Sequence, residues 1–580
     1  MNKPPSYRYQ LWPQMALLFA LLFPASTVGL WFLTWDLFEE KDWGSFSLHW
    51  PNIVAVAGSV LPHLEFSSWT SYWSLLVDNN AQLKFALHLC LPVVVGCAWS
   101  MWMTWLFLWM PGGREVIAHV KGGKVLQGKD AVNHAVIMNR KELGENSRAE
   151  SGISIHPDIK ISTAREQANF CIFGTTGAGK SMCFKPLVYQ AIQRGDFAVI
   201  YDEKGEYTSA FFDQDTTHLI APWDIRSAYW DLYRDVGTKH EADLVAQCMV
   251  PDEGEKEKMW VEGARLLFVG LMVTLINTRK AWGWKELYSL ISASQEDALK
   301  MLQQNYPIAN TFIQKESRTT QGFYVHLIAR LKWIEDMATA WPERIGDGFS
   351  IKSWVQRSDA KKIIIIQSDS RFDAIGAPLC NTLIALMTQY YLALDEGIEK
   401  RIWLFIDEFA NLPKNDEIKR WLELSRSRGA RSVICTQSIS QLKEIYGEHD
   451  TSVILNLLSN AISLRLGSGG EDAKYVANLL GERIVERPNK LSEGYSWNRT
   501  KEHIVESFEI TQLKPANNNG VEGFMTIPGW NAVFKMVWPL YNEKSIAERH
   551  CPAKWLQSEY GEIDTFPSKK PANRLNKRAK

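Results

Sequence analysis

The segment Cys171–Phe184, CIFGTTGAGKSMCF, constrains the fold more than any other part of the chain. An apolar run breaks at a glycine-rich turn, the turn closes on Lys180-Ser181, and apolar residues resume. Gly174–Ser181 fits the pattern G-x-x-x-x-G-K-[ST], which requires a strand before it and a helix after it. The domain that holds it is therefore α/β. Gly174, Gly177 and Gly179 permit backbone angles that turn successive N–H groups toward phosphate oxygens. The dipole of the following helix adds to the attraction for an anion. Thr175, Thr176 and Ala178 fill out the loop. Lys180 is expected to bridge β- and γ-phosphates and Ser181 to hold Mg2+, so the loop predicts binding of ATP with Mg2+.

From residue 166 onward the chain alternates buried strands with helices. QANFCIF, DFAVIYD, KKIIIIQS, RIWLFIDEF, RSVICTQS and NAISLRLG are short apolar runs bounded by polar residues. Such runs are typical of parallel strands covered on both faces. No such run occurs between Val236 and Ser350, where the pattern is helical. The Met259–Thr278 run is strongly apolar, but Glu262 and Arg265 interrupt it, so a buried helix is expected there. Residues 113–165 read as a mixed, β-rich stretch, with AVNHAVIM as a strand.

Two charge-free segments precede this domain: Met15–Trp35 and, from about Phe85, a run to Met110. Each exceeds the roughly 20 residues needed to cross a hydrocarbon core. Eleven of the 25 tryptophans lie between Trp12 and Trp109, a placement that suits membrane interfaces. The segment between the two runs, about 36–83, carries Lys41 against six acidic residues. Lys3 and Arg8 precede the first run, and Arg114, Lys121, Lys124 and Lys129 follow the second. The positive-inside rule places both termini in the cytoplasm and the loop outside. The eight cysteines show no C-x-x-C spacing and no histidine cluster, which argues against zinc or a disulfide framework. A net charge of −1 argues against a chain that is basic throughout. The last sixteen residues, Thr565–Lys580, hold six basic residues and no acidic one, and residues 551–580 read as a solvated basic tail.

The strand RIWLFIDEF ends in two carboxylates. Asp407 is expected to complete the magnesium shell and Glu408 to act as general base. The alternative is a surface acidic pair. Gln437, at the end of SVICTQS, is placed to sense the γ-phosphate or the attacking water. Arg426, Arg428 and Arg431, in LELSRSRGARS, read as a helix and turn able to offer an arginine to a neighbouring subunit. The rival reading is a solvated basic face. An ABC transporter is disfavoured, because GSGGED at Gly467–Asp472 follows Asp407 instead of preceding it.

Together these residues resemble the type IV coupling proteins, the membrane-anchored ATPases of conjugative and related type IV secretion systems. The likeness rests on the two apolar segments, GTTGAGKS, DEKGEY at Asp202–Tyr207, APWDIRSAYWDLY at Ala221–Tyr233, LFIDEF, GARSVICTQSISQL and EITQL. It implies two transmembrane helices in residues 1–112 and a RecA-like P-loop NTPase motor over 113–235 and 351–550. It implies an inserted all-α domain at 236–350 and a homo-hexamer on the bacterial inner membrane. It implies DNA bound without regard to sequence, a relaxase or relaxosome, and type IV secretion channel components as partners, with the lipid bilayer around the spans. Ser425 stands where many members have glycine. The competing readings are a septal chromosome translocase, which carries more spans, and a nucleotide-gated receptor for secreted proteins.

Overall fold

The computed structural model describes residues 11–35, 49–52, 54, 67–108, 118–145, 150–252, 258–278, 280–308, 317–342, 348–395, 401–412, 414–467, 470–491 and 494–559. The chain divides into two compact units. One comprises Met1–Lys121 with Arg483–Glu502, the other Gly122–Glu482 with His503–Lys580. Lys3, Arg8, Lys41, Arg114 and the tail Thr565–Lys580 lie outside the described residues.

The described strands are β1 (Ala118–Gly122), β2 (Lys124–Gln127), β3 (Ser151–His156), β4 (Ile159–Ser162), β5 (Phe170–Phe173), β6 (Phe197–Asp202), β7 (Thr217–Ile220) and β8 (Ile363–Gln367). They continue with β9 (Ile402–Ile406), β10 (Ala430–Thr436), β11 (Asn460–Ser463), β12 (Glu482–Leu491), β13 (Gly494–His503), β14 (Val521–Thr526) and β15 (Ala532–Trp538).

In the first unit, helices α1 (Leu11–Trp35), α2 (Ser67–Asp78) and α3 (Gln82–Leu108) precede a three-stranded sheet of order β1-β12-β13. α1 and α3 approach closely through small residues. Ser26 Oγ lies 3.0 Å from Ser100 Oγ, and a Cβ on Gly96 would stand 2.7 Å from Thr27 Oγ1. Both helices are long and apolar enough to cross a membrane.

The second unit is built on a ten-stranded sheet of order β2-β15-β14-β11-β5-β10-β9-β6-β8-β7. The seven strands from β11 to β7 are parallel, and β14 and β15 extend the sheet antiparallel. All six strands expected from apolar runs are present and adjacent, because each is covered on both faces. The expected AVNHAVIM strand is instead part of helix α4 (Gly128–Glu145). Ala131 and Ala135, four apart, form its buried face, so the spacing is helical and not alternating.

Helix α5 (Lys180–Arg194) follows the P-loop. Between β7 and β8 the described residues of 236–348 are helical: Lys239–Met249, α6 (Lys258–Asn277), Trp284–Ile291, Gln295–Asn305, Arg318–Leu331 and Ile334–Ala340. α6 is also apolar enough to span a membrane, but 67% of its apolar window is buried inside the protein. Glycines let these helices meet. A Cβ on Gly263 would lie 2.3 Å from the Phe323 ring, and one on Gly270 2.3 Å from Leu302. Residues 551–559, expected to begin a free tail, are docked instead. The Cys551 N–H donates to Asp224 Oδ2 (2.9 Å) and Trp555 Nε1 to the Pro222 carbonyl (2.8 Å).

Candidate nucleotide site

Strand register assembles the site. Phe173 of β5 pairs with Thr436 of β10, and Ile434 of β10 pairs with Ile406 of β9. The three strands therefore end side by side, at Gly174, Gln437 and Asp407-Glu408. One strand separates the P-loop from the carboxylates.

The loop is held from both flanks. The Gly174 N–H donates to the Thr436 carbonyl (3.2 Å) and the Thr175 N–H to the Arg465 carbonyl (3.1 Å). Gly177 (φ 75°) and Gly179 (φ 97°) adopt the left-handed conformation that a side chain would strain. At Gly179 a Cβ would also stand 2.5 Å from Val521 Cγ2. Gly179 caps α5 without a side chain, so the first helical turn, with Ser181, presents its N–H groups to the loop. Ala178 is buried, while Thr176 and Gly177 are exposed at the rim.

Lys180 Nζ donates to the Gly174 carbonyl (3.0 Å) and lies 3.4 Å from Glu408 Oε2. Glu408 is buried, and its Oε1 accepts from the Gln437 N–H (3.2 Å). Gln437 Oε1 accepts in turn from Thr176 Oγ1 (2.5 Å). A chain of polar contacts thus runs from the loop rim to the carboxylate. Burial pushes the Asp407 carboxyl up to about 6. Tyr207 and Lys180 oppose the rise, and Glu408 adds to it. A left-handed glycine cradle, an uncapped helix start, a lysine and two inward carboxylates fit a nucleoside triphosphate with its divalent cation.

Arg426 is not in this cluster. It sits on a 3-10 turn, Arg426–Arg428, before β10 begins, whereas Gln437 follows where β10 ends. The strand between them spans about 20 Å. Arg426 is exposed. Arg428 is half-buried against the Leu394 carbonyl. Arg431, read from the sequence as part of a helix and turn, lies on β10, wholly buried and paired with Glu166 at 2.7 Å. It cannot reach another subunit.

Sequence reasoning assigned no role to Asp202, although it opens the DEKGEY motif. It is fully buried at the end of β6 and accepts from the Thr208 N–H (2.7 Å) and Thr208 Oγ1 (2.8 Å). β6 pairs with β9 through Tyr201 and Ile406, so Asp202 and Asp407 end neighbouring strands. Gly205 of the same motif (φ 68°) leaves room for the docked C-terminal segment, since a Cβ there would lie 2.9 Å from the Arg549 carbonyl.

The sheet order, with one strand between the P-loop strand and the carboxylate strand, defines a RecA-like P-loop domain interrupted by a helical insertion. The family model described as "Type IV secretion-system coupling protein DNA-binding domain" matches residues 153–516, and the chain belongs to that family. It is 27% identical over 440 residues to coupling protein TraD of Escherichia coli (strain K12), a match that covers 75% of this chain and 58% of TraD. The chain thus spans less than two thirds of that relative. Among solved structures, the bacterial conjugative coupling protein TrwBdeltaN70 in its unbound form has the same fold. Its TM-score is 0.63 at 22% identity, covering 76% of this chain and 97% of that one. TrwB in complex with ADP and Mg2+ aligns with a TM-score of 0.62 at 20% identity, covering 76% and 99%.

Proposed function

We propose that this chain is an inner-membrane ATPase that couples hydrolysis to the recruitment and translocation of relaxase-bound single-stranded DNA into a type IV secretion channel. The observation that carries the reading is the meeting of Lys180, Glu408 and Gln437 at one sheet edge, 3.4 and 3.2 Å apart through Glu408. Family membership supports the DNA-transport role, and TrwB, which shares the fold, has been solved with ADP and Mg2+ and with the ATP analogue ADPNP.

In this reading Gly174–Ser181 cradle the phosphates, with Ser181 and Asp407 as metal ligands. Mg2+ offsets the charge that develops on the phosphoryl oxygens. Glu408 takes the proton of the attacking water, and Lys180 balances its charge until phosphate engages the lysine. Gln437 reports the state of the site to Thr176. Arg426 is too far from its own P-loop to serve it, so it acts on a neighbour's nucleotide, as a ring of six requires. DNA is held through its phosphates, without base reading. α1 and α3 span the inner membrane with both termini in the cytoplasm. Residues 1–112 form the anchor, 113–235 and 351–550 the motor, and 236–350 the inserted helical domain.

The test uses the full chain in lipid nanodiscs and in donor cells lacking the native copy. Single-stranded DNA should stimulate ATP turnover, and Lys180→Ala should abolish both turnover and plasmid transfer. Turnover indifferent to DNA, with transfer intact in the Lys180→Ala donor, overturns the reading and favours a receptor that docks proteins without pumping.

A further inference from the structure

At the sheet edge opposite the nucleotide site lies a buried ion cluster that the chemistry above does not use. Glu166 and Arg431 are both 0% exposed, and Arg431 Nε donates to Glu166 Oε2 at 2.7 Å. Glu166 also receives a two-pronged contact from Arg194, Nη1 to Oε1 (2.7 Å) and Nη2 to Oε2 (3.0 Å). The Ile153 N–H donates to the same Oε1 at 2.7 Å. Arg194 reaches Asp196 Oδ2 as well (2.9 Å from Nε), and Trp403 Nε1 donates to that oxygen at 2.9 Å. Room for the Glu166 carboxylate depends on Gly152, where a Cβ would stand 2.4 Å from Oε1.

Taking such charges out of water is costly, and well-packed apolar residues often do as well or better for stability. The cluster is therefore best understood by what it connects. Arg194 is the last residue of α5, the helix that begins with Lys180 at the phosphate loop. Arg431 Nη1 donates to the Gly429 carbonyl, and Gly429 (φ 90°) closes the Arg426–Arg428 turn. The Tyr391 hydroxyl fixes the same turn from the other side by donating to the Arg428 carbonyl (2.5 Å). Glu166 hydrogen-bonds directly both to the end of the P-loop helix and to the arginine holding the turn, and Trp403, which stacks on Arg431 and donates to Asp196, backs the same junction. The Arg426 side chain, by contrast, is exposed and has no hydrogen-bond or ion-pair partner among the described residues. A free guanidinium on a fixed base is suited to meeting a partner outside its own subunit.

We propose that Glu166 is a positioning residue that locks the Arg426 turn to the far end of the subunit's own P-loop helix. The arginine a subunit offers its neighbour is then set by the state of that subunit's own nucleotide site. The proposal rests on the reading of Arg426 as acting in trans. It goes further by naming the link between successive sites around the ring.

The full chain in nanodiscs with single-stranded DNA tests it. Glu166→Gln keeps the shape and removes the charge. It should leave ADPNP affinity within about twofold and lower DNA-stimulated turnover about tenfold or more. Mixing Glu166→Gln subunits with Glu408→Gln subunits, which bind ATP and set their own arginine but do not hydrolyse, should restore turnover, because each supplies the half that the other lacks. Hydrogen exchange at residues 425–430 should respond to ADPNP in the wild type and lose that response in Glu166→Gln. If Glu166→Gln misfolds, the apolar pair Glu166→Leu with Arg431→Met replaces it, with the same readouts expected. Arg426→Ala mixed with Glu408→Gln is the control. If that mixture regains turnover and the Glu166→Gln mixture does not, the link through Glu166 is wrong and the trans reading stands. An unchanged exchange response in a Glu166→Gln protein that binds ADPNP also overturns the link. If Arg426→Ala alone keeps full turnover, the trans reading fails, and the proposal with it.

Discussion

Lys180 Nζ and Glu408 Oε2 face each other at 3.4 Å across the sheet edge, and both side chains are largely buried. The lysine of the glycine-rich loop and the carboxylate at the end of β9 thus balance each other's charge in one contact. The P-loop and the strand 227 residues on are thereby electrostatically one site, although β10 lies between their strands.

The two partners should therefore fail differently. Lys180→Ala should lose nucleotide affinity, because the loop loses its only cation. Glu408→Gln should bind ATP with near-normal affinity and lose turnover by about 10²–10⁴, the range for a missing general base. Equilibrium binding of a fluorescent ATP analogue and steady-state phosphate release separate the two. Wild-type turnover in Glu408→Gln would remove it from the role.

With Asp407 in the proposed role of metal ligand, binding of Mg2+ with nucleotide should depend on pH. Burial, its largest influence, pushes its carboxyl from 3.8 up to about 6, so near pH 6 about half of the ligand-free molecules carry it neutral. A metal ligand must be ionised, so binding of Mg2+ with nucleotide should release about half a proton at pH 6 and almost none at pH 8. Affinity should climb as pH rises through 6 and then level off. In the ligand-free protein the same raised carboxyl costs folding stability as pH rises from 3.8 through about 6, because the native state binds more protons than the unfolded one. Calorimetry at pH 6 in buffers of different ionisation enthalpy measures the proton. No buffer dependence, or its loss only in variants other than Asp407→Asn, would contradict the assignment.

Much of this site was legible because each chemical residue ends a strand buried on both faces. Gly174, Asp407, Glu408 and Gln437 all follow continuous apolar runs, and burial of β5, β9 and β10 bears those runs out. The strands that escaped notice do not carry that signal. β7 has only the four residues THLI, and β14 and β15 pair antiparallel with glycine and charged residues among them. AVNHAVIM misled because a short apolar run fits either period until its partners are known. Glu166 was invisible for another reason. Its partners Arg194 and Arg431 are distant in sequence, and nothing local marks any of the three as buried.

Topology is testable at the turn that joins α2 to α3. Asn79-Asn80 ends α2 just before α3 begins, and Asn80 takes a left-handed conformation (φ 52°) suited to a tight turn. Alkaline phosphatase fused after Asn79 should be active, and the same enzyme fused after Glu145 should be inactive. Only the exported side allows that reporter to form its disulfides. The reverse pattern would invert the orientation.

Packing of the helical insertion depends on glycine. Gly263→Ala should gain up to about 1 kcal/mol of helix propensity. It also forces a methyl to within 2.3 Å of the Phe323 ring, inside any allowed contact. Overpacking of this kind costs about 1–3 kcal/mol, so the net effect should be destabilising. Denaturant titration should show a lower midpoint with the slope unchanged. A midpoint equal to or above wild type would mean that Phe323 moves aside freely.

Assembly should govern turnover, for a geometric reason. Arg426 and Gln437 lie at opposite ends of β10, about 20 Å apart along the strand. One subunit cannot bring its own Arg426 to its own Gln437, so on the proposed in-trans role of Arg426 a lone subunit's site lacks its arginine. Specific activity of the protein from Gly122 onward should therefore rise with protein concentration and saturate once subunits associate. Single-stranded DNA should shift that curve to lower concentration by holding subunits on one lattice. Full chains in a bilayer should need less still, because anchoring raises their local concentration. The DNA effect should weaken steeply with salt and be equal for unrelated sequences, since phosphate contacts release counterions whatever the bases. Turnover measured across a hundredfold range of protein concentration, with mass photometry on the same samples, decides the matter. Constant specific activity from a species of single-subunit mass would mean that each nucleotide site is complete within one chain, and Arg426 would then be a surface residue with no part in the chemistry.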